Sequence, residues 1–283
     1  MPNYGYHFAR AEGNAARAMY GALLPSLARR PLSPGPPVPI DVFAYSGESA
    51  LPEQVVSVRS FLTHVGRPKR FTIVSDGTLS KRGADILRSI DPVVSISASA
   101  QWQPRDLPTR IYPYLTTHPT GKQLALIMSL PVAAPALYVD SDVLFFSGAA
   151  DLRSVAETGG AAACYLADCR LSADERLFRN ESEKDQPVNT GVLLLFEKPD
   201  WSLGVERFLE LEGSPTFFTN QTITHLTMHA NGAVPFDPRK YVLQLDDQFI
   251  YPDRYASAAL ALRHYVNPVR HKFWTNLRRR ALA

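Results

Sequence analysis

The stretch Ala136-Leu-Tyr-Val-Asp140-Ser-Asp142-Val-Leu-Phe145 decides how this chain is read. Four apolar residues suit a buried strand, and the strand stops at two carboxylates spaced two apart. Both carboxylates can face one opening if the strand breaks its alternation there. Burying such a pair unpartnered costs several kcal/mol, so a cation or a shared proton is implied. The plainer reading makes Asp140 and Asp142 caps of the following turn.

Outward from this motif, short β-branched or aromatic runs alternate with helical patterns. Residues 41–45, 70–75 and 93–97 read as strands before it, interleaved with helices over 52–64, 80–90 and 122–130. Beyond it, 161–166, 192–196 and 241–245 read as strands, and 203–211 and 219–229 as helices. The alternation predicts an α/β fold with a mostly parallel central sheet flanked by helices, and with ligands at the carboxyl ends of its strands. Asp140 then stands where chemistry is expected.

Residues 1–39 form a separate arm. A helix over 8–24 places Phe8, Ala11, Ala15, Ala18, Met19 and Ala22 near one face, with Arg10 and Arg17 nearer the other. Pro25 and the prolines at 31, 34, 36, 37 and 39 are expected to end it. The arm is expected to pack on its own domain, with membrane or partner docking as the alternative.

Composition bounds the rest. The chain has 283 residues, 45% of them hydrophobic, which supplies a core and excludes disorder for most of its length. The longest uncharged apolar stretch, 123–139, is broken by Pro131 and Pro135 and is too short to span a bilayer. The N-terminus lacks a secretory pattern, so a cytoplasmic protein is expected. Cys164 and Cys169 are five apart in a strand pattern and point to opposite faces; neither a disulfide nor a cysteine metal site is expected. The net charge of +3 conceals a segregation. Residues 1–40 carry four arginines against Glu12, and 263–283 carry six basic residues with no acid, so the body between is −6. A basic tail over an acidic, metal-holding site suits a phosphate-bearing ligand, and a solvated tail is the alternative.

Three more stretches carry chemistry. Pro187-Val-Asn189-Thr190-Gly191 puts an amide, a hydroxyl and a glycine before a buried strand. Phe218-Thr-Asn220-Gln221 presents amides at a helix start. His264-Tyr-Val-Asn-Pro-Val-Arg270-His-Lys272-Phe-Trp274 combines an imidazole, cations and an aromatic anchor. A phosphatase of the haloacid dehalogenase type would use Asp140 as nucleophile and Asp142 as acid/base, with Asp246-Asp247 as its later acidic pair.

The order Asp-Ser-Asp, Asn-Thr-Gly, Asn-Gln, His…Lys-Phe-Trp resembles the retaining glycosyltransferases of family 8, the group that includes glycogenin and the bacterial lipooligosaccharide galactosyltransferases. The resemblance covers roughly residues 40–274 and includes the opening Val42-Phe-Ala-Tyr45-Ser46-Gly47. It implies a GT-A fold, a Rossmann-like nucleotide-diphospho-sugar transferase architecture, over 40–262, with 263–283 as a basic closing segment. It further implies a UDP-linked hexose donor and Mn²⁺ or Mg²⁺ held by Asp140, Asp142 and His264. Asp140, Asn189 and Gln221 are the implied catalytic residues. Tyr45, Ser46, Lys122, Asp140, Ser141, Asn189, Thr190 and Gly191 are the implied donor contacts, together with Arg270 or Lys272 at the leaving diphosphate. Inverting chemistry would instead need a carboxylate base, with Asp168 or Asp247 nearest. The pattern departs from the family at Asn267, where the family has Gly, at Phe273, where it has Pro, and at Asn220, where it has Asp. A nucleotide-sugar binding protein with a decayed site is the third reading. The acceptor, a sugar, lipid-linked glycan or protein, is not legible. No nucleic-acid partner is expected, and peripheral membrane contact and oligomeric state are left open.

Overall fold

The computed structural model describes residues 3–281, and side chains as far as Leu277. Arg278, Arg279 and Arg280 of the basic tail therefore have side chains outside the described residues. The motif strand β4 (Ala136–Val139) lies near the middle of a seven-stranded sheet. On one side of it run β1 (Asp41–Ser46), β2 (Arg70–Ser75) and β3 (Val94–Ala98), in the order β3-β2-β1-β4, all parallel. On the other side the order continues β7-β6-β8, from β7 (Val188–Leu195), β6 (Ala163–Ala167) and β8 (Val234–Pro235). Strand β7 is antiparallel to both β4 and β6, while β8 is parallel to β6, so β7 alone among these seven strands runs against the rest.

A second, three-stranded sheet forms from β5 (Val143–Phe145), β9 (Tyr241–Val242) and β10 (Leu262–His264), in the order β5-β10-β9. The short run after Asp142 is thus a strand of its own, and the expected strand over 241–245 shrinks to two residues. The expected boundary between 262 and 263 falls inside β10.

Helices cover both faces of the main sheet. The first, α1 (Tyr4–Arg29), is followed by α2 (Leu51–His64) and α3 (Lys81–Arg88) in the crossovers of the first half. Then come α4 (Tyr112–Thr117), α5 (Pro119–Met128), α6 (Asp151–Thr158), α7 (Ser202–Glu210), α8 (Thr219–Ala230) and α9 (His271–Ala281). One core lies under α2, with Val55, Phe61 and Leu62 against Val42, Phe71, Leu137 and Phe145. A second lies under α5, α7 and α8, with Leu124, Ile127, Phe208 and Ile223 against Phe43, Tyr138 and Leu193. Among the described residues no helix is long and apolar enough to cross a membrane. Both cysteines are free.

The arm departs from expectation twice. Pro25 sits inside α1, and the helix runs on to Arg29. It stops because Arg30 precedes Pro31 and is forced to an extended conformation, φ −58° and ψ 129°. The arm does pack on its own domain, but through Ala9, Gly13, Ala16, Leu24 and Ala28. Gly13 permits this, because a Cβ there would stand 2.6 Å from the carbonyl oxygen of His271 on α9. Close helix approach selects small residues over the larger apolar ones, so the face expected to be buried points outward. Phe8 is 67% exposed and Met19 59%.

Candidate active site

The two halves of the site are far apart in sequence and meet by strand pairing. The N–H of Asp140 donates to the carbonyl of Gly191 at 2.8 Å, which holds the end of β4 against β7. A turn over Asp140-Ser141-Asp142 breaks the alternation, as the motif requires, and β5 begins at once. Antiparallel pairing of β5 with β10 sets His264 opposite Val143, and the N–H of Tyr265 donates to the carbonyl of Asp142 at 3.0 Å. One potential ligand atom from each of Asp140, Asp142 and His264 then lies within 4.8 Å of the others.

Hydrogen bonds around this trio fix the direction of its side chains. Oδ1 of Asp140 accepts from Tyr138 Oη at 2.7 Å and Gln123 Nε2 at 3.0 Å, which leaves Oδ2 toward His264. Oδ2 of Asp142 accepts from Arg270, and Oδ1 faces His264 Nε2 at 3.0 Å. The Gly191 N–H donates to Asn189 at 2.9 Å, so the atom receiving it is Oδ1. The same oxygen lies 2.9 Å from His264 Nδ1, which must therefore carry the proton. Nε2 is left facing both carboxylates. Gly191 is required here, since a Cβ would stand 2.2 Å from His264 Cε1.

The electrostatics follow from this crowding. Burial pushes the Asp140 carboxyl up, and the Asp142 charge adds to that against the pull of His264. Burial acts the same way on Asp142, but His264 and Arg270 together win and bring it down to about 2. Burial works against a charged His264, yet the two carboxylates raise its pKa, Asp142 foremost. A positive charge at Nε2 is thus what the pocket favours. Two carboxylates and one imidazole of fixed tautomer suit a divalent cation such as Mn²⁺ or Mg²⁺ in place of that proton.

A cleft of about 370 Å³ opens over this centre, lined further by Asp168, Asn189, Thr190, Asn220, Gln221 and Arg270. Gln221 Nε2 donates to Asp168 Oδ2 at 3.1 Å and to the carbonyl of Ser172 at 2.8 Å. Both amide hydrogens are engaged, so its carbonyl oxygen is the group left for a ligand. Asn189 Nδ2 donates to the same Asp168 oxygen at 3.2 Å. Asn220 Nδ2 donates to Gln123 Oε1 at 2.9 Å and thereby steadies the side chain that holds Asp140. Phe217 and Phe218 form an exposed aromatic pair at the rim.

The structure brings Asp140, Asp142, Asn189, Thr190, Gln221, His264 and Arg270 to one cleft, with Gly191 beneath and Ser141 in the turn between the carboxylates. Asn189, Thr190 and Gly191 lie within β7, not ahead of it. Tyr45 and Ser46 end β1, and their hydroxyls are buried without a hydrogen-bond partner among the described residues. Lys122 on α5 reaches the carbonyl of Asp76 at 3.4 Å. Lys272 is elsewhere. It is fully buried, with Nζ donating to the carbonyls of Ile250 at 2.7 Å and Pro252 at 2.9 Å and standing 3.3 Å from Asp247. Of the two cations considered for the leaving group, Arg270 is the one in the cleft. Asp247 is also buried outside it, bridged by Arg263, and Asp246 is held by Arg254 and Tyr255. The acidic pair that the phosphatase reading needs is therefore engaged elsewhere. Trp274 is buried and donates Nε1 to Glu53 at 3.0 Å, pinning α9 to α2. Gln123 and Tyr138 were not legible as site residues, because an amide in a helix and a tyrosine in an apolar strand carry no spacing signal.

No family model matches the chain, and no curated protein matches it in sequence. Solved structures do match in fold. The galactosyltransferase LgtC, solved with donor and acceptor sugar analogues, superposes with a TM-score of 0.55 at 15% identity, over 84% of this chain and 94% of that one. Mouse xyloside xylosyltransferase 1 gives 0.54 at 12% identity, over 82% and 99%. The apo glycosyltransferase GlyE of Streptococcus pneumoniae gives 0.52 at 14% identity, over 84% of this chain and 59% of that one. The chain therefore has the GT-A fold, in the form seen in family 8-type glycosyltransferases. Its Asp140-Asp142-His264 cluster stands at the carboxyl end of the central strand of that fold.

Proposed function

We propose that the protein is a metal-dependent glycosyltransferase that moves a hexose from a nucleotide sugar, UDP-glucose or UDP-galactose, to an acceptor hydroxyl with retention of configuration. The observation that carries this is the Asp140-Asp142-His264 centre facing an amide-lined cleft. The fold shared with LgtC and the xylosyltransferase supports sugar transfer as the class of reaction. Asp140, Asp142 and His264 would hold the cation, which supplies Lewis-acid neutralisation of a departing diphosphate.

The chain's own groups do the rest. Asn189 and Asp168 offer a hydrogen-bonding floor for the transferring sugar, and the Gln221 carbonyl oxygen offers partial negative charge to an oxocarbenium-like centre. Arg270 would neutralise the charge gained by a leaving phosphate, an interaction that strengthens as the glycosidic bond breaks. Tyr45 and Ser46 end β1 with buried hydroxyls and do not line this cleft, so as nucleoside contacts they would act from beside it. Phe217 and Phe218 give the acceptor an aromatic rim. Among the described residues Asp168 is the one cleft carboxylate outside the metal centre. Two amides occupy its Oδ2 and the Arg170 N–H donates to its Oδ1, which disfavours it as a base and as a nucleophile and supports retention without a covalent enzyme intermediate. The outward face of α1, where Phe8 and Met19 are exposed, with Arg29 and Arg30 at its end, supports peripheral contact with an anionic membrane. Incubation of UDP-galactose with the protein, Mn²⁺ and a panel of sugar acceptors tests the reaction. Retention predicts an α-linked product by NMR, and a β-linked product would refute that part.

A further inference from the structure

We infer that α1 completes a phosphate-binding cavity beside the catalytic cleft, with Arg10, Arg17 and Arg270 as its cationic wall. Tyr6, Arg10, Asn14 and Arg17 recur every three or four residues, so they form one stripe along α1 between its buried and outward faces. Across a cavity of about 390 Å³ that stripe faces Asn267, Arg270 and His271. The lining holds one carboxylate, Glu53, and it is already taken. Arg17 bonds both of its oxygens, at 2.6 and 3.0 Å, and Trp274 donates to one of them.

Two guanidiniums remain for a ligand. Arg10 has no ion pair among the described residues and rests 5.5 Å from the Tyr6 ring centroid. Arg270 is held by Asp142, and a cation on the Asp140-Asp142-His264 centre would take over that charge and free it. His271 lines the same cavity, 7% exposed; its Nδ1–H donates to the carbonyl of Pro268 at 3.2 Å, so its unpartnered Nε2 is an acceptor and adds nothing to the cationic wall. Guanidinium forks recognise phosphate oxygens in pairs, so the ligand chemistry is a phosphate or diphosphate. Arg270 and Asn267 line both cavities, so the anion would sit in continuity with the cleft. Two sources share that chemistry: the diphosphate of the donor, and a phosphate on the acceptor. The inference takes the neighbouring cleft to be the transfer site proposed above, but the anion site itself stands on the arginines.

The test is calorimetric titration of inorganic pyrophosphate into the full chain in EDTA at low salt, where Arg270 stays on Asp142 and the result reads Arg10. Wild type binds, Arg10→Ala binds roughly tenfold or more weakly, and Arg10→Lys recovers part of the loss. Asp142→Asn binds at least as well as wild type, which separates this result from failure of the metal-dependent reading. Repeating the titration with UDP and Mn²⁺ saturating assigns the source. Loss of pyrophosphate binding means that the donor's diphosphate fills the cavity, and retained binding means that an acceptor phosphate does. Absence of pyrophosphate binding to wild type, or equal affinity in Arg10→Ala, overturns the inference.

Discussion

Asn189 Oδ1 accepts the Nδ1–H of His264 at 2.9 Å, and this bond decides which imidazole nitrogen faces Asp140 and Asp142. The backbone N–H of Gly191 fixes the amide, the amide fixes the tautomer, and the tautomer aims a lone pair at the place between the carboxylates. Asn189→Ala should therefore lower Mn²⁺ affinity about 10- to 100-fold without unfolding the protein. Asn189→Asp keeps an acceptor and should lose less. Mn²⁺ titration followed by electron paramagnetic resonance measures both, and unchanged affinity in the alanine variant would remove the residue from this role.

Gly191→Ala tests the same contact from the other side. The added methyl would stand 2.2 Å from His264 Cε1 and 2.9 Å from Asn189 Oδ1, so the imidazole must move. The expected cost is about 1–3 kcal/mol of stability, with Mn²⁺ binding lost more completely than the fold. Thermal unfolding and Mn²⁺ titration on one preparation give the comparison.

Acid should unfold the protein through the buried Asp247 cluster. Burial pushes this carboxyl up, but Arg263 and then Lys272 outweigh it and hold its pKa below the ordinary 3.8. A carboxylate depressed in the folded state contributes stability that is present above the unfolded value and lost as pH falls through the folded one. Unfolding temperature should hold steady from neutral pH down to about 5 and fall below about 4. Asp247→Asn should cost about 3–5 kcal/mol at neutral pH and flatten that acid step. An acid step of undiminished size in the variant would assign it to other groups.

The outward face of α1 predicts association with vesicles containing phosphatidylglycerol, reduced by salt and by Phe8→Asp. Phe8 is well exposed, so the variant should keep the unfolding temperature of wild type. Co-sedimentation that does not distinguish the two proteins would argue against this surface.

Much of this was legible in the sequence. The short β-branched and aromatic runs gave six strands of the main sheet, all but the two-residue β8, and the carboxylate pair at the end of one of them pointed to the site. What escaped was set by distant partners. Strand β10 is three residues long and exists because β5 and β9 flank it, and Gln123 enters the site because Tyr138 and Asn220 meet its amide. Amphipathic patterning also misassigned the face of α1, since the helix docks where Gly13 lets the His271 backbone approach. Arg270 stands in the turn before α9 and Lys272 inside the helix, and two residues of spacing do not settle which of them faces the cleft.

The most direct test is calorimetric titration of UDP-glucose and UDP-galactose into wild type and Asp142→Asn, each with Mn²⁺ and with EDTA. Binding to wild type that requires Mn²⁺ and is lost in Asp142→Asn is the predicted result. Binding that is indifferent to both the metal and Asp142, or no binding of either sugar nucleotide with Mn²⁺ present, would contradict the assignment of this cleft.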